Sequence, residues 1–218
     1  MASSVIHMAV ANEVNKVLKR DNSKLLIGSI APDISKQIGQ DRNISHFIFK
    51  EGLIDLDKFL DKYKNNLDDD FVLGYYIHLL TDYFWFKYFM PEITNYSIIK
   101  TLDGKELKLS KEEICQYIYN DYTNINIKVI NEYNMDLKIF FNELPEIKNI
   151  IEEIPMEKLQ VIVDKAGIII MNSTNGKNYT FDIKNVKQFI NFTKNLIVNK
   201  CKELGIENNI KMWYYFFA

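Results

Sequence analysis

Residues 68–89 read DDDFVLGYYIHLLTDYFWFKYF. Three aspartates open this stretch, as is favourable at a helix N-terminus, and the residues after them are apolar on nearly every side of a helix. The pattern predicts a central helix that runs to Pro91 and packs against several elements. His78 and Asp82 lie on one face of it, with Cβ atoms roughly 5–6 Å apart. Because a buried carboxylate needs a partner, the pair indicates a shared metal ion, a helix cap or a hydrogen-bonded core histidine.

The rest of the chain predicts an all-α fold, a multi-helix bundle formed by one domain over 1–218. An Asp-Gly turn between two short alternating runs predicts a small β-hairpin near 97–109. The segment 27–39 is expected to be a structured loop, because glycine and proline interrupt it. Apolar residues at helical spacing predict further helices over 4–20, 53–66, 110–133 and 182–205, and shorter helices over 136–155 and 156–171 that are broken at Pro145 and Pro155. The metal-site motifs fall within 1–90, the helical C-terminal half within 110–206 and an aromatic tail within 207–218.

Composition excludes several classes of protein. Of the 218 residues, 47% are hydrophobic and 26% charged, which is typical of a globular chain. The formal charge of −2 argues against general nucleic-acid binding. The two cysteines form no CxxC pair, so a disulfide framework and a thiolate zinc site are not expected. No signal peptide or transmembrane segment is recognisable, and we expect a cytoplasmic protein.

The chain has three histidines, at positions 7, 46 and 78. A single histidine is more often a hydrogen-bonded core residue than a ligand. Here, however, all three histidines would have to be such core residues, and Asp33 in SIAPDI would still need an explanation. Imidazole and carboxylate are the ligands that Zn²⁺ takes when no thiolate is offered. Asp33, His46, His78 and Asp82 are therefore candidates for one metal, and His7 for a second metal bridged by Asp82. Such paired metals serve in-line attack on phosphorus.

Four motifs occur in a particular order: SSVIHMAVA, IGSIAPDI, ISHF and GYYIHLLTDYFW. Together they resemble the zinc-dependent phospholipase C family, which is related to the fungal single-strand zinc nucleases. The resemblance extends from about residue 3 to residue 90. It implies a largely helical fold, with one zinc held by Asp33, His46 and His78 and a second zinc held by His7 and by Asp82 as the bridge. It also implies phosphoester hydrolysis by a metal-bound hydroxide.

The sequence departs from that family in two respects. Secreted members begin with a processed tryptophan that completes the second zinc site, whereas this chain starts Met-Ala-Ser. Removal of Met1 would give Ala2 a free α-amine, which is partly deprotonated at neutral pH and can act as a ligand. The family's third-site histidine has no counterpart after Asp82. The expectation is one tight Zn²⁺ site and a second, weaker one.

The leading hypothesis is a metal-dependent phosphoester hydrolase with Asp33 as catalytic base or water-orienting group. The expected substrate is a phosphoester, either a phospholipid head group or a nucleotide-like compound. An HD-type phosphohydrolase is one alternative, although it needs adjacent His and Asp residues. Another alternative is a non-catalytic module that keeps a structural metal. Asp121 could add a ligand or contact one, although a solvated helix position is the stronger expectation. The aromatic tail is expected to dock on the body or on a second copy, giving a possible homo-oligomer.

Overall fold

A computed structural model describes residues 1–49, 52–95 and 97–206. The protein is mostly helical with one small antiparallel hairpin, which confirms the predicted fold class. Short 3₁₀ turns connect several of the helices. The helices are α1 (Ser4–Leu18), α2 (Asn22–Gly28), α3 (Ile34–Gln37), α4 (Arg42–Ser45), α5 (Leu56–Tyr63), α6 (Asp70–Phe84), α7 (Met90–Ile93), α8 (Lys111–Tyr133), α9 (Leu159–Met171) and α10 (Ile183–Glu203).

Helix α6 is the central element, as its apolar sequence predicts. Every residue from Phe71 to Asp82 is buried, and the helix packs against α1, α2, α5 and α10. The carboxylate of Asp69 caps it by accepting hydrogen bonds from the backbone N–H groups of Phe71 and Val72. The α-helix ends at Phe84, earlier than expected, and continues as a π-helix over Trp85–Phe89 and then as α7. The site residues on α6 are therefore held in the middle of the core.

Helix α1 is the second wall of the core. Its N-terminus is capped by Ser3, whose hydroxyl accepts a hydrogen bond from the backbone N–H of Ile6. It ends at Lys19, which adopts a left-handed conformation with φ 56°. The helix packs against α6, α8 and α10, so a side chain on its inner face, such as His7, points into the centre of the bundle.

The predicted hairpin is confirmed. Strand β1 (Ile98–Lys100) pairs with β2 (Glu106–Lys108) in antiparallel register, with Ile99 opposite Leu107. Gly104 in the connecting turn has φ +82°, a conformation that glycine adopts without the steric cost of a Cβ atom.

Two predicted segments differ from the structure. The expected loop 27–39 begins inside a helix, since α2 extends to Gly28. The shorter helices expected over 136–155 are absent: its described residues form only a 3₁₀ turn over Lys138–Phe140 and are otherwise irregular. Pro145 and Pro155 were expected to divide this segment into helices, but proline lacks a backbone N–H and disfavours helical geometry in the preceding residue. Within 110–206 the long helices are α8, α9 and α10.

The last long helices begin where their capping residues predict. Ser110 and Glu113 form a capping box at the start of α8, and Asp182 caps α10. The aromatic tail 207–218, with its predicted docking, lies outside the described residues. Among the helices that the structure describes, none combines the length and apolar character needed to cross a membrane.

Candidate metal centre

Three elements bring the five predicted site residues to one place in the core. His7 comes from α1, and His78 and Asp82 come from α6. The imidazole rings of His7 and His78 stack with centroids 3.8 Å apart and planes 9° from parallel. His7 Nε2 lies 3.3 Å from Asp82 Oδ1. The contact between α1 and α6 therefore already joins three candidate ligands.

The segment between α2 and α5 supplies the other two candidates. Asp33 ends the 3₁₀ turn Ala31–Asp33, and His46 directly follows α4. His46 Nε2 lies 3.4 Å from Asp33 Oδ1 and 3.2 Å from His78 Nε2. All three histidines are fully buried, while Asp33 keeps 8% of its surface exposed. Among the five predicted ligands, Asp33 is consequently the one that solvent can reach.

The second ring nitrogen of His46 and of His78 is fixed by a neighbour. His78 Nδ1 lies 2.8 Å from the backbone oxygen of Ser29, and since a carbonyl only accepts, Nδ1 carries the proton. His46 Nδ1 lies 2.9 Å from Ser45 Oγ, which itself donates to Ser35 Oγ or to the backbone oxygen of Arg42. His78 Nε2 is thereby left with a lone pair directed into the centre, and so is His46 Nε2 when the Ser45 hydroxyl donates to either of those acceptors. Histidines that bind metals show this arrangement of the outer nitrogen.

Two glycines allow Ser29 to reach His78. A Cβ atom at Gly74 would lie 2.2 Å from the backbone oxygen of Leu25, and one at Gly28 would lie 2.2 Å from that of Phe71. Helices α2 and α6 therefore cross with their backbones in direct contact. His78 lies one turn beyond Gly74, so the close crossing brings the C-terminal end of α2 against its ring.

The geometry of the cluster fits a divalent cation. Two nitrogens bound tetrahedrally to Zn²⁺ at 2.0–2.1 Å are about 3.3–3.4 Å apart, close to the separation of the His46 and His78 Nε2 atoms. Both ring nitrogens of His7 and Oδ1 of Asp33 are buried without a hydrogen-bond partner, although such groups are nearly always satisfied. Within the described residues, two buried groups could hold a metal ion: His7, Asp33 and His78, and His46, His78 and Asp82.

The protonation states of the candidate ligands also suit metal binding. Burial lowers the pKa of His46 and lowers that of His78 well below its usual value. Burial by itself would raise the pKa of Asp33, but the contact with His46 and the other imidazoles outweigh it and bring the pKa to about 2. In Asp82 the penalty of burial is likewise outweighed, first by the nearby α-amine, and the pKa lies well below its usual value. Neutral imidazoles and ionised carboxylates are the forms that bind metal.

The first residues of the chain enclose the centre. The backbone N–H of Ala2 donates a hydrogen bond to Asp82 Oδ1 at 2.9 Å, and the hydroxyl of Tyr122 donates to the backbone oxygen of Met1 at 2.6 Å. Burial lowers the pKa of the Met1 α-amine, against the opposing effect of Asp82. Residues 1 and 2 are thus part of the wall beside Asp82.

Sequence reasoning missed a cation at this site. Arg42 Nη2 donates to Asp82 Oδ2 at 3.0 Å, and its Nε lies 2.8 Å from Met1 Sδ. The sequence carries one usable signal, because Arg42 precedes His46 by four residues and would share a helix face with it. Its pairing with Asp82, 40 positions away, is visible only in the tertiary structure.

Asp121 has a different place from the one expected. It is fully buried rather than solvated, and its carboxylate accepts hydrogen bonds from the backbone N–H groups of Tyr179, Thr180 and Phe181 at 2.8, 2.6 and 3.2 Å. Asp121 therefore ties α8 to the segment before α10. It belongs to neither of the two metal-binding groups.

Comparisons with protein-family models, curated proteins and solved structures found no match to this chain.

Proposed function

We propose that this protein is a metal-dependent phosphoester hydrolase with Zn²⁺ as its metal. The observation that carries the proposal is the convergence of all three histidines with Asp33 and Asp82, with the Nε2 atoms of His46 and His78 3.2 Å apart. The order of motifs that resembles the zinc-dependent phospholipase C family supports the same chemistry. A bound divalent cation would supply Lewis acidity towards a phosphoryl oxygen and lower the pKa of a coordinated water.

The residues of the chain would then have distinct roles. His46 and His78 hold the cation through Nε2, because their Nδ1 atoms are engaged with Ser45 and Ser29. Asp82 joins them through Oδ2, which lies 3.9 and 4.0 Å from the two Nε2 atoms. Asp33, ionised and partly exposed, is placed to orient a water molecule or to accept its proton. The substrate would be a phosphoester such as a phospholipid head group or a nucleotide-like compound.

A structural metal is the second candidate. The complete burial of His7, His46, His78 and Asp82 favours it, because structural zinc sites are closed whereas catalytic sites keep an open position. Asp33, with 8% of its surface exposed, is the exception among the five predicted ligands. In this case the cation would stabilise the core and the protein would act as a binding or assembly module. The HD-type alternative lacks support, since no histidine is followed by aspartate.

The experiment that separates the two candidates combines metal analysis with a diesterase assay. Zinc-loaded protein is tested with bis(p-nitrophenyl) phosphate, beside His46→Ala and the surface variant Asp136→Ala. Hydrolysis that is lost in His46→Ala, which removes a metal ligand, and is unchanged in Asp136→Ala, supports the hydrolase. Stoichiometric metal with no hydrolysis of phosphodiesters or phosphomonoesters supports the structural role. Protein that binds no metal would contradict both.

A further inference from the structure

Arg42 lies inside the candidate metal centre and contacts its most buried carboxylate. Its side chain is 30% exposed whereas that of Asp82 is fully buried, and Nη2 lies 3.0 Å from Asp82 Oδ2. Its backbone oxygen accepts a hydrogen bond from the backbone N–H of His46 at 3.0 Å. The same short helix, α4, thus fixes both the guanidinium and a candidate ligand. A guanidinium keeps its charge throughout the ordinary pH range.

The two oxygens of Asp82 have different neighbours. Oδ1 accepts a hydrogen bond from Ala2 and lies 3.3 Å from His7 Nε2. Oδ2 lies near His46 and His78 and receives the hydrogen bond from Arg42. A carboxylate so placed is able to bridge two cations, and in this structure one of the cations beside it is the guanidinium.

The two metal-binding groups compete for one atom. Both include His78, whose Nδ1 is engaged with the backbone oxygen of Ser29. Only Nε2 is therefore left for a metal, and a cation held by His46, His78 and Asp82 uses it. A second ion would retain His7 and Asp33 and could add Oδ1 of Asp82, which lies 3.3 Å from His7 Nε2, but that carboxylate already pairs with the positive charge of Arg42. Both circumstances disfavour a second ion.

We propose that Arg42 serves as the second cation of this centre, through its pairing with Asp82, so that the chain binds a single metal ion. This inference rests on the proposed metal-dependent function and deepens it. Arg42 and one divalent ion together already outweigh the two negative charges of Asp33 and Asp82. Like-charge repulsion from Arg42 excludes a further divalent ion at His7 and Asp82, as a cation near a cation is disfavoured in a buried site.

The test is a count of metal ions in wild-type protein and in Arg42→Met, which removes the charge but keeps an unbranched side chain. Both are loaded with Zn²⁺, desalted and measured by elemental analysis, and Zn²⁺ affinities are measured by calorimetry. We expect one ion per wild-type chain. Arg42→Met is expected to bind two ions, with affinity for the second at least tenfold higher than in wild type. The added ion would be held by His7 and Asp82.

Three controls keep the result interpretable. Arg42→Lys retains the charge and should bind one ion. Lys36→Met removes a nearby surface cation, which contacts Tyr119, and should also bind one ion. Arg42→Gln removes the charge but keeps a hydrogen-bond donor, and replaces Arg42→Met if that variant does not fold.

The outcomes distinguish this inference from the proposed function. One ion with unchanged affinity in both charge-removing variants would overturn the role of Arg42 and leave the metal-dependent function intact, as would two tight ions in wild type. Protein that binds no ion in any form would overturn both.

Discussion

The Nε2 atoms of His46 and His78 face each other at 3.2 Å in the middle of the core. Both outer nitrogens are engaged, by Ser45 and by the backbone of Ser29, so two lone pairs point at the same space. Lone pairs at that distance repel unless a proton or a cation lies between or beside them. A metal ion bound by both nitrogens would remove this repulsion, so we expect the stability of the centre to depend on metal.

Removal of metal should destabilise the wild-type protein but not His46→Ala. A ligand that binds only the folded state stabilises it by about 2.7 kcal/mol at 100 times its dissociation constant, and His46→Ala removes a ligand at the centre. Thermal melts with Zn²⁺ and with a chelator are the measurement. Asp136→Ala, on the surface, should keep the full metal-dependent shift. Equal shifts in wild type and His46→Ala would place the bound metal elsewhere.

Gly74→Ala should destabilise the protein and disturb the centre. Its Cβ atom would lie 2.2 Å from the backbone oxygen of Leu25, so α2 and α6 must separate, at a cost of about 1–3 kcal/mol. The separation also moves Ser29 away from His78, and Zn²⁺ affinity should fall. Urea unfolding and calorimetry measure the two effects.

Gly167→Ala is the matched control for that substitution. The added Cβ meets only the Phe140 ring, at an ordinary 3.5 Å, and alanine in a helix interior is favoured over glycine by about 0.8–1.0 kcal/mol. We expect unchanged or slightly raised stability and unchanged Zn²⁺ affinity. If Gly74→Ala kept wild-type stability and normal Zn²⁺ affinity, the close crossing of α2 and α6 would not be required for the centre.

Asp121→Ala should lower the free energy of unfolding by about 2–4 kcal/mol, since it leaves several buried donors unpaired. The backbone N–H groups of Thr180 and Phe181 lose their acceptor. Urea unfolding measures the loss, and Asp136→Ala, whose exposed carboxylate accepts from the backbone of Lys138, should cost at most about 1 kcal/mol. Because Asp121 lies outside the centre, Zn²⁺ stoichiometry should not change; a loss of metal would assign it to the site.

The two cysteines should differ in reactivity. Cys115 is exposed, whereas Cys201 is buried, and burial raises the pKa of Cys201 to about 12. Because the thiolate is the reactive form, Cys201 should stay unreactive in the native protein at pH 8 and gain reactivity only as the pH approaches 12. A disulfide reagent should modify one thiol in native protein and two in denaturant. Cys115→Ser should abolish the native reaction, and two rapid native modifications would contradict the burial of Cys201.

The local features of the fold were predictable because they depend on neighbours in sequence. The caps at Asp69, Ser110 and Asp182, the Asp-Gly hairpin and the buried central helix all follow from patterns a few residues long. The shorter helices predicted over 136–155 are absent because Pro145 and Pro155 leave the segment largely irregular instead of only dividing it into helices. Short α2 was missed since glycine was interpreted as a break, whereas Gly28 permits a backbone contact with α6.

The sequence by itself determined which residue types are available for a site: three histidines, the His78–Asp82 pair on one helix face, and Asp33 beside a proline. Only the tertiary structure decided that His7, Asp33 and His46 join that pair, because their distances depend on how α1 and the segment before α5 pack on α6. It also decided that Arg42 pairs with Asp82 and that Asp121 is structural. Pairings between distant residues arise from packing of whole elements, and no local pattern in the chain specifies them.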